Sequence, residues 1–286
     1  MDKSEQDKFV EKQGEEWSGV AHAWEKWDVW LDENMARCDE LVLERAKVAL
    51  GHSVLDLGSG TGYPALKAAA IVDVNGSVTG LDMAEEMLNV ARRKAEALDL
   101  KHVSFKKCDV SRLPFEDGSF DAVTSRFCLM FLPEPAGTLN EVFRVLKKGG
   151  NFAGVVWGPP DKNPGLTLAI GMLKEFMDVP APDPSAPGLF GLAKPGDLKN
   201  KVVSAGFLNV TEEQIDIDWV YDSGQHFIDM LKDMAAPIKI MLEKLQPEQL
   251  DQYEKKLIAA VEGYRVDDKM TLPGVALMVS GVKGEG

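Results

Sequence analysis

Cysteine is scarce in this chain of 286 residues, and basic charge is outnumbered. The three cysteines, Cys38, Cys108 and Cys128, form no CxxC pair, which excludes a disulfide framework and a structural zinc site. No metal site is expected. Against 46 acidic residues stand 32 basic ones, a formal charge of −14 that repels phosphate backbones and anionic lipid. No nucleic-acid partner is therefore expected. No apolar run approaches the roughly 20 residues of a membrane span, and Met1-Asp-Lys-Ser-Glu-Gln-Asp-Lys lacks the basic and apolar stretches of a secretion signal. A cytoplasmic protein without stable membrane insertion is the expectation. What the chain does have, 45% hydrophobic and 27% charged residues, is ordinary for a globular protein with a substantial core.

From Ser53 to roughly Ser280 short apolar runs alternate with amphipathic stretches, the pattern of βαβ units and a mostly parallel sheet. Strands are expected at Ser53 to Leu57, Ser77 to Leu81, Val103 to Cys108, Phe120 to Ser125 and Phe152 to Trp157. Helices are expected from Tyr63 to about Val72, from about Ala84 to Leu98, and from near Pro135 to an αL stop at Gly149-Gly150. Residues 158 to 194 carry seven prolines, among them Pro180, Pro182 and Pro184, and break the alternation, with a short helix at Leu166 to Met177. A helix at about Pro195 to Ala205 and a strand at about Val210 to Trp219 resume it. A helical excursion from about Gly224 to Tyr264 follows, with Pro237 and Pro247 each expected to open a new helix. The last strand is about Val275 to Val282. The expected organisation is an N-terminal helical lid at residues 1–50 and a core at 51–286 with cap insertions at about 158–194 and 224–270.

The glycines at 58, 60 and 62 follow a strand and precede a helix, where a turn brings backbone amides close to a ligand. Their spacing is GxGxG, whereas a dinucleotide fingerprint needs GxGxxG for its pyrophosphate. Asp56, two places before Gly58, would repel a pyrophosphate and attract an ammonium or sulfonium. Asp82 ends the second strand 24 residues after Gly58, where a carboxylate can accept both hydroxyls of a ribose. Asp109 ends the third, where it can accept from an exocyclic amine such as that of adenine. Three strand-end carboxylates around one glycine turn describe an adenosine joined to a positive group.

Val54-Leu-Asp-Leu-Gly-Ser-Gly-Thr-Gly62, Gly80-Leu-Asp-Met83, Cys108-Asp-Val110, Leu113-Pro-Phe-Glu-Asp-Gly-Ser-Phe-Asp121 and Val145-Leu-Lys-Lys-Gly-Gly150 resemble the class I S-adenosylmethionine-dependent methyltransferases. Within that family they are most similar to the branch with the ubiquinone/menaquinone C-methyltransferases and many small-molecule enzymes. The likeness covers residues 53–157 and is specific for the cofactor, not the acceptor. It implies an α/β, doubly wound, seven-stranded, mostly parallel Rossmann-like sheet whose last strand inserts antiparallel between the fifth and sixth. It also implies that Asp56, Gly58, Gly60 and Gly62 line the methionine part of S-adenosylmethionine, that Asp82 binds the ribose, and that Met83 packs on the adenine. Asp109 and Val110 would recognise the adenine amino edge, and Arg126 would contribute mainly its backbone near the methionine end. Met83 reads equally well as a core residue at a helix start.

The implied activity is methyl transfer to a small-molecule acceptor. A sulfonium methyl needs mainly an aligned nucleophile and exclusion of water, so a catalytic base is optional and no catalytic residue is assigned. Trp17, Trp24 and Trp27 recur at helical spacing in a stretch that also contains Trp30. The stripe either covers an aromatic or cationic acceptor or simply packs the lid on the sheet. His22, in the same stretch, is the base to consider if one is needed, with a surface or packed histidine as the alternative. Two other readings share part of the pattern. A nicotinamide-dependent oxidoreductase would share the glycine turn and Asp82, and a non-catalytic S-adenosylmethionine-binding protein would share all of it.

Overall fold

The computed structural model describes residues 3–179 and 186–285 and centres on one sheet. Strand β1 (Ser53–Leu57) is buried on both faces, as Val54, Leu55 and Leu57 require, and so takes the middle of the sheet. Turn residues lead into α4 (Ala65–Val72), then β2 (Ser77–Asp82), α5 (Glu85–Ala97) and β3 (Val103–Lys107). Helix α5 lays Leu88, Ala91 and Ala95 on the sheet, one apolar face at helical spacing, and turns Met87 towards the N-terminal helices. Burying each of its larger side chains contributes about 1.5–3 kcal/mol. The chain then returns across β1 to β4 (Phe120–Arg126), α6 (Pro135–Val145) and β5 (Leu146–Trp157). Strands β2 and β3 lie on one side of β1 and β4 and β5 on the other, giving the order β3-β2-β1-β4-β5. Such a reversal opens a crevice at the carboxyl ends of β1 and β4.

Beyond β5 come α7 (Pro164–Leu173), α8 (Asp197–Ser204), β6 (Leu208–Tyr221), α9 (Gly224–Met234), α10 (Ala236–Leu242), α11 (Pro247–Glu262), β7 (Arg265–Val266) and β8 (Lys269–Val282). As the resemblance implies, the last strand lies between β5 and β6 and is antiparallel to both. There are eight strands among the described residues rather than seven, because β7 folds back on β8 across a two-residue turn with Asp267 at φ 53°. Pro247 opens α11 as expected, while Pro237 is the second residue of α10. Pro180, Pro182 and Pro184 lie outside the described residues.

Two expected boundaries move for identifiable reasons. The helix before β5 ends at Val145, not at Gly149-Gly150. Lys147 is drawn to the Asp121 carboxylate at 2.8 and 2.9 Å, so the backbone is already extended there. Gly149, at φ +75°, falls at a register irregularity of β5 against β4 instead of capping a helix. The last strand starts at Lys269, six residues before Val275, because β6 offers it a partner as far as Tyr221. The segment after β5 is pinned by one buried amide. Asn163 Nδ2 donates to the carbonyls of Gly158, Pro159 and Val275 (3.2, 3.0 and 3.1 Å), and its Oδ1 accepts from Val275 N at 2.9 Å.

The N-terminal region forms α1 (Lys3–Gly19), α2 (Ala21–Lys26) and α3 (Asp28–Arg45). Helix α3 buries Leu31, Met35, Cys38 and Val42, spaced by three and four residues, over β4, β5 and β6. It also closes the open edge of β6: Trp30 Nε1 donates to Val220 O at 2.6 Å and Asn34 Oδ1 accepts from Val220 N at 2.7 Å.

Candidate cofactor cleft

A cleft, about 940 Å³ with its solvent-open mouth included, opens where the strand order reverses. Its floor is the turn after β1. Gly58 has φ +70°, and a Cβ there would stand 2.4 Å from Cys128 Cβ and 2.6 Å from its Sγ, so only glycine fits. Gly58 N and Ser59 N both donate to Leu81 O, and Gly60 N donates to Asp82 Oδ2 at 2.9 Å. The turn is thereby fixed to the end of β2 by backbone bonds.

Seven of the nine residues singled out by sequence line this cleft: Gly58, Gly60, Asp82, Met83, Asp109, Val110 and Arg126. Asp82 accepts from Gly60 N and, through Oδ1, from Ala84 N at 2.8 Å. Burial raises its pKa, and these backbone donors oppose the rise. Asp109 Oδ1 accepts from Ser111 N at 2.9 Å, which fixes the loop after β3. Arg126 is not there through its backbone alone. Its guanidinium pairs at 3.1 Å with Asp39, a fully buried carboxylate of α3.

Gly62 and Asp56 lie off the wall. Gly62, at φ +113°, would place a Cβ 2.7 Å from Leu66 Cδ1 and 3.3 Å from Ala91 Cβ, so its lack of a side chain serves the packing of α4 and α5. Asp56 is completely buried beneath the turn, with Oδ1 accepting from Thr124 Oγ1 at 2.7 Å and Oδ2 without a partner among the described residues. Burial pushes its carboxyl up to about 7, against the Thr124 hydrogen bond that lowers it.

The opposite wall is apolar. Val10, Gly14 and Trp17 of α1 and Trp24 of α2 face Phe127, Phe131 and Leu132 after β4. Trp17 stands edge-on to Trp24 (5.8 Å, 75°) and to Phe131 (5.5 Å, 78°). Phe127 adopts φ +55°, a left-handed conformation costing about 1–2 kcal/mol in a side-chain-bearing residue, and stacks on Trp157 at 4.0 Å. The tryptophan stripe therefore divides. Trp27, at the junction of α2 and α3, turns away, stacks on His226 at 5.1 Å and donates to Asp233 at 2.8 Å. His22 is exposed on α2 and is not among the residues that line the cleft.

Between α3 and the cleft runs a seam of three cations and three carboxylates. Lys94 meets Asp28 at 2.6 Å, Lys67 meets Asp32 at 2.5 Å and Asp39 at 2.9 Å, and Arg126 meets Asp39. Tyr63 lines the cleft with its ring beneath Lys94 Nζ at 4.0 Å and Lys67 Nζ at 5.1 Å. Burial lowers the pKa of Lys94 in spite of Asp28. Sequence reasoning missed Tyr63, Phe127, Cys128 and the α1 face of Val10, Gln13 and Gly14 beside the expected Trp17. That last face left a readable sign, helical spacing around a glycine inside a helix.

Residues 50–155 match the family model described as a methyltransferase domain. The demethylmenaquinone methyltransferase of Lactococcus lactis is 38% identical over 123 residues, 43% of this chain and 46% of that protein. That of Listeria welshimeri is 39% identical over 115 residues, 40% of this chain and 49% of that protein. The chain thus spans about half the length of the curated relatives it matches. Phosphoethanolamine N-methyltransferase 2 of Haemonchus contortus shares the fold, with a TM-score of 0.59 and 20% identity over 98% of this chain and 60% of that one. Residues 50–155, less than half of the chain, are thus similar to a methyltransferase domain, and the chain as a whole shares its fold with solved methyltransferases.

Proposed function

We propose that this chain transfers the methyl group of S-adenosylmethionine to a small apolar or aromatic acceptor. One observation carries the reading: the glycine turn, Asp82, Met83, Asp109 and Val110 line the same cleft as Trp17, Phe127 and Phe131. The donor set suits an adenosine bearing a cation. Asp82 and Asp109 offer carboxylates at two strand ends, and the buried acid Asp56 lies beneath the turn where a positive group favours its ionised form.

In this reading Asp82 takes the ribose hydroxyls, Asp109 the adenine amine, and Met83 with Val110 the adenine faces. Gly58, Gly60 and Arg126 hold the methionine end, while Gly62 and Asp56 act from behind the wall. When bound, S-adenosylmethionine supplies an already activated methyl on its sulfonium. The chain's own work is to orient the acceptor and exclude water. Residues 1–50 serve as the lid for this, with the insertions at 158–194 and 224–270 as further caps on the core of 51–286. None of the four histidines lines the cleft, so no histidine is proposed as a base.

The two relatives are named for a menaquinone precursor, so a quinol is the first acceptor to test, followed by phenols and amines. The three unpaired thiols support a cytoplasmic setting, and the acidic surface supports a partner that is not nucleic acid. Among the described residues no helix is long and apolar enough to cross a membrane. Calorimetry with S-adenosylhomocysteine tests the cofactor, with micromolar affinity expected. Mass spectrometry of acceptor mixtures tests the transfer, with a methylated product expected. No binding sinks the reading, and binding without any product across the panel converts it to a non-catalytic one.

A further inference from the structure

Among the residues that wall the cleft, one polar atom is buried and unpaired. Trp24 Nε1 is shielded from solvent and has no hydrogen-bond partner among the described residues. Its neighbours in sequence are satisfied: Trp27 Nε1 donates to Asp233, and Trp30 Nε1 to Val220 O. A buried N–H without an acceptor is costly, and such groups in native proteins nearly always have a reason.

The place of the ring narrows the reason. Trp24 packs in a small apolar cluster with Ala21, Ala84 and Met87. Ala84 and Met87 belong to the start of α5, immediately after Asp82 and Met83. Trp24 is therefore beside the residues read as binding the nucleoside. Helix α1 reaches the same place. A Cβ on Gly14 would stand 3.0 Å from Met83 O and 3.1 Å from Met83 Cβ, so α1 rests directly on Met83 and a side chain there would crowd it by a few tenths of an ångström.

We propose that Trp24 is a cofactor-binding residue, its indole N–H donating a hydrogen bond to the adenosine part of S-adenosylmethionine, with α1 and α2 as a wall of the cofactor site. Adenosine offers acceptors at its ribose oxygens and ring nitrogens. The inference rests on the methyltransferase reading and deepens it. It assigns the N-terminal helices to nucleoside enclosure, so they must lift for S-adenosylhomocysteine to leave.

Trp24→Phe keeps the ring and deletes the donor. Calorimetry with S-adenosylhomocysteine and with 5′-methylthioadenosine, which shares the adenosine and lacks the amino-acid part, separates the possibilities. The expected result is an equal loss for both ligands, about fivefold, with an unchanged melting temperature of the free protein. A loss for S-adenosylhomocysteine alone would place the bond on the methionine part and overturn the proposal. Unchanged affinity for both, with only the acceptor KM altered, would overturn it in favour of acceptor binding. Should Trp24→Phe fail to melt cooperatively, Gly14→Leu carries the same test by lifting α1 from Met83. It should weaken both ligands and speed release of S-adenosylhomocysteine, and unchanged affinity and release would overturn the proposal. If the wild-type protein binds neither ligand, the methyltransferase reading itself falls, a result distinct from any of these.

Discussion

The two walls of the cleft are built from different materials. The wall after β1 and β2 is mostly backbone: Gly58, Ser59 and Gly60 are held by Leu81 O and the Asp82 carboxylate within 3 Å, and Asp82 and Asp109, which line the cleft, are themselves tied to amides. The wall from α1 and α2 is side chain, chiefly Trp17 and Trp24 with Val10, and is attached through apolar contacts and the ion pairs Asp7–Arg112 and Glu25–Arg93. A backbone wall tolerates few substitutions but offers the same surface to every member of a fold class. A side-chain wall can be redrawn one residue at a time, which is where a choice of acceptor belongs.

The comparison can be broken most sharply at Gly58. Gly58→Ala forces a Cβ into Cys128 at a left-handed backbone position, and loss of S-adenosylhomocysteine binding by at least about 100-fold is expected by calorimetry, equivalent to about 3 kcal/mol. Retained binding would show that this wall is softer than its geometry implies.

A second probe is pH. Asp56 is raised from its ordinary 3.8 to about 7 in the fold, so the folded protein holds this proton more tightly than the unfolded chain does. The corresponding stability is fully present below about pH 4 and is lost as pH rises towards 7, up to about 4 kcal/mol in all. Urea unfolding of wild type and Asp56→Asn across that range should show the wild type losing ground progressively. A constant gap between the two would refute the assignment.

The seam offers a third. Asp39→Asn leaves Arg126 and Lys67 without their buried carboxylate and should cost about 3 kcal/mol in unfolding free energy. It should also weaken S-adenosylhomocysteine more than 5′-methylthioadenosine if Arg126 attends the methionine end. Smallest is Asn163→Ala, at a residue that lines neither wall, which abandons four hydrogen bonds at the root of the segment after β5. A loss of about 2 kcal/mol in stability is expected by thermal unfolding, with cofactor affinity unchanged. A change in affinity there would mean that the cap and the cofactor wall are coupled.

The same division explains what the sequence made legible. Strands β1 to β5 could be read because hydrophobic period and turn residues are local signals, and the residues of the glycine turn are adjacent in the chain. Asp82 and Asp109 followed from strand ends. Long-range contacts were not legible. Nothing near Gly149 says that Lys147 will be captured by Asp121, and nothing near Lys269 says how far β6 extends. Trp17, Trp24 and Trp27 share a helical spacing, yet the chain bends at Trp27 between α2 and α3 and sends its ring to His226. No proline or glycine marks that bend. Asp56 was legible as an acid near the turn, but its complete burial depends on Thr124 and the strand beside it.

Helix α3 does more than carry the acidic side of the seam. Strand β6 is the last in its sheet, fourteen residues long, with Ile215, Ile217, Trp219 and Tyr221 on one face. An edge of that length is a template on which another chain can add a strand. Trp30 and Asn34 occupy both backbone groups of Val220 and so remove its outer end from that template. Deletion of α3 would therefore expose a self-associating edge as well as the cleft. In a dilution series, turbidity of such a truncated chain should rise steeply with concentration while that of a Trp30→Phe variant, which keeps the Asn34 bond, rises far less. The helix that accompanies the cofactor site is in this sense also the guard of the molecule's solubility.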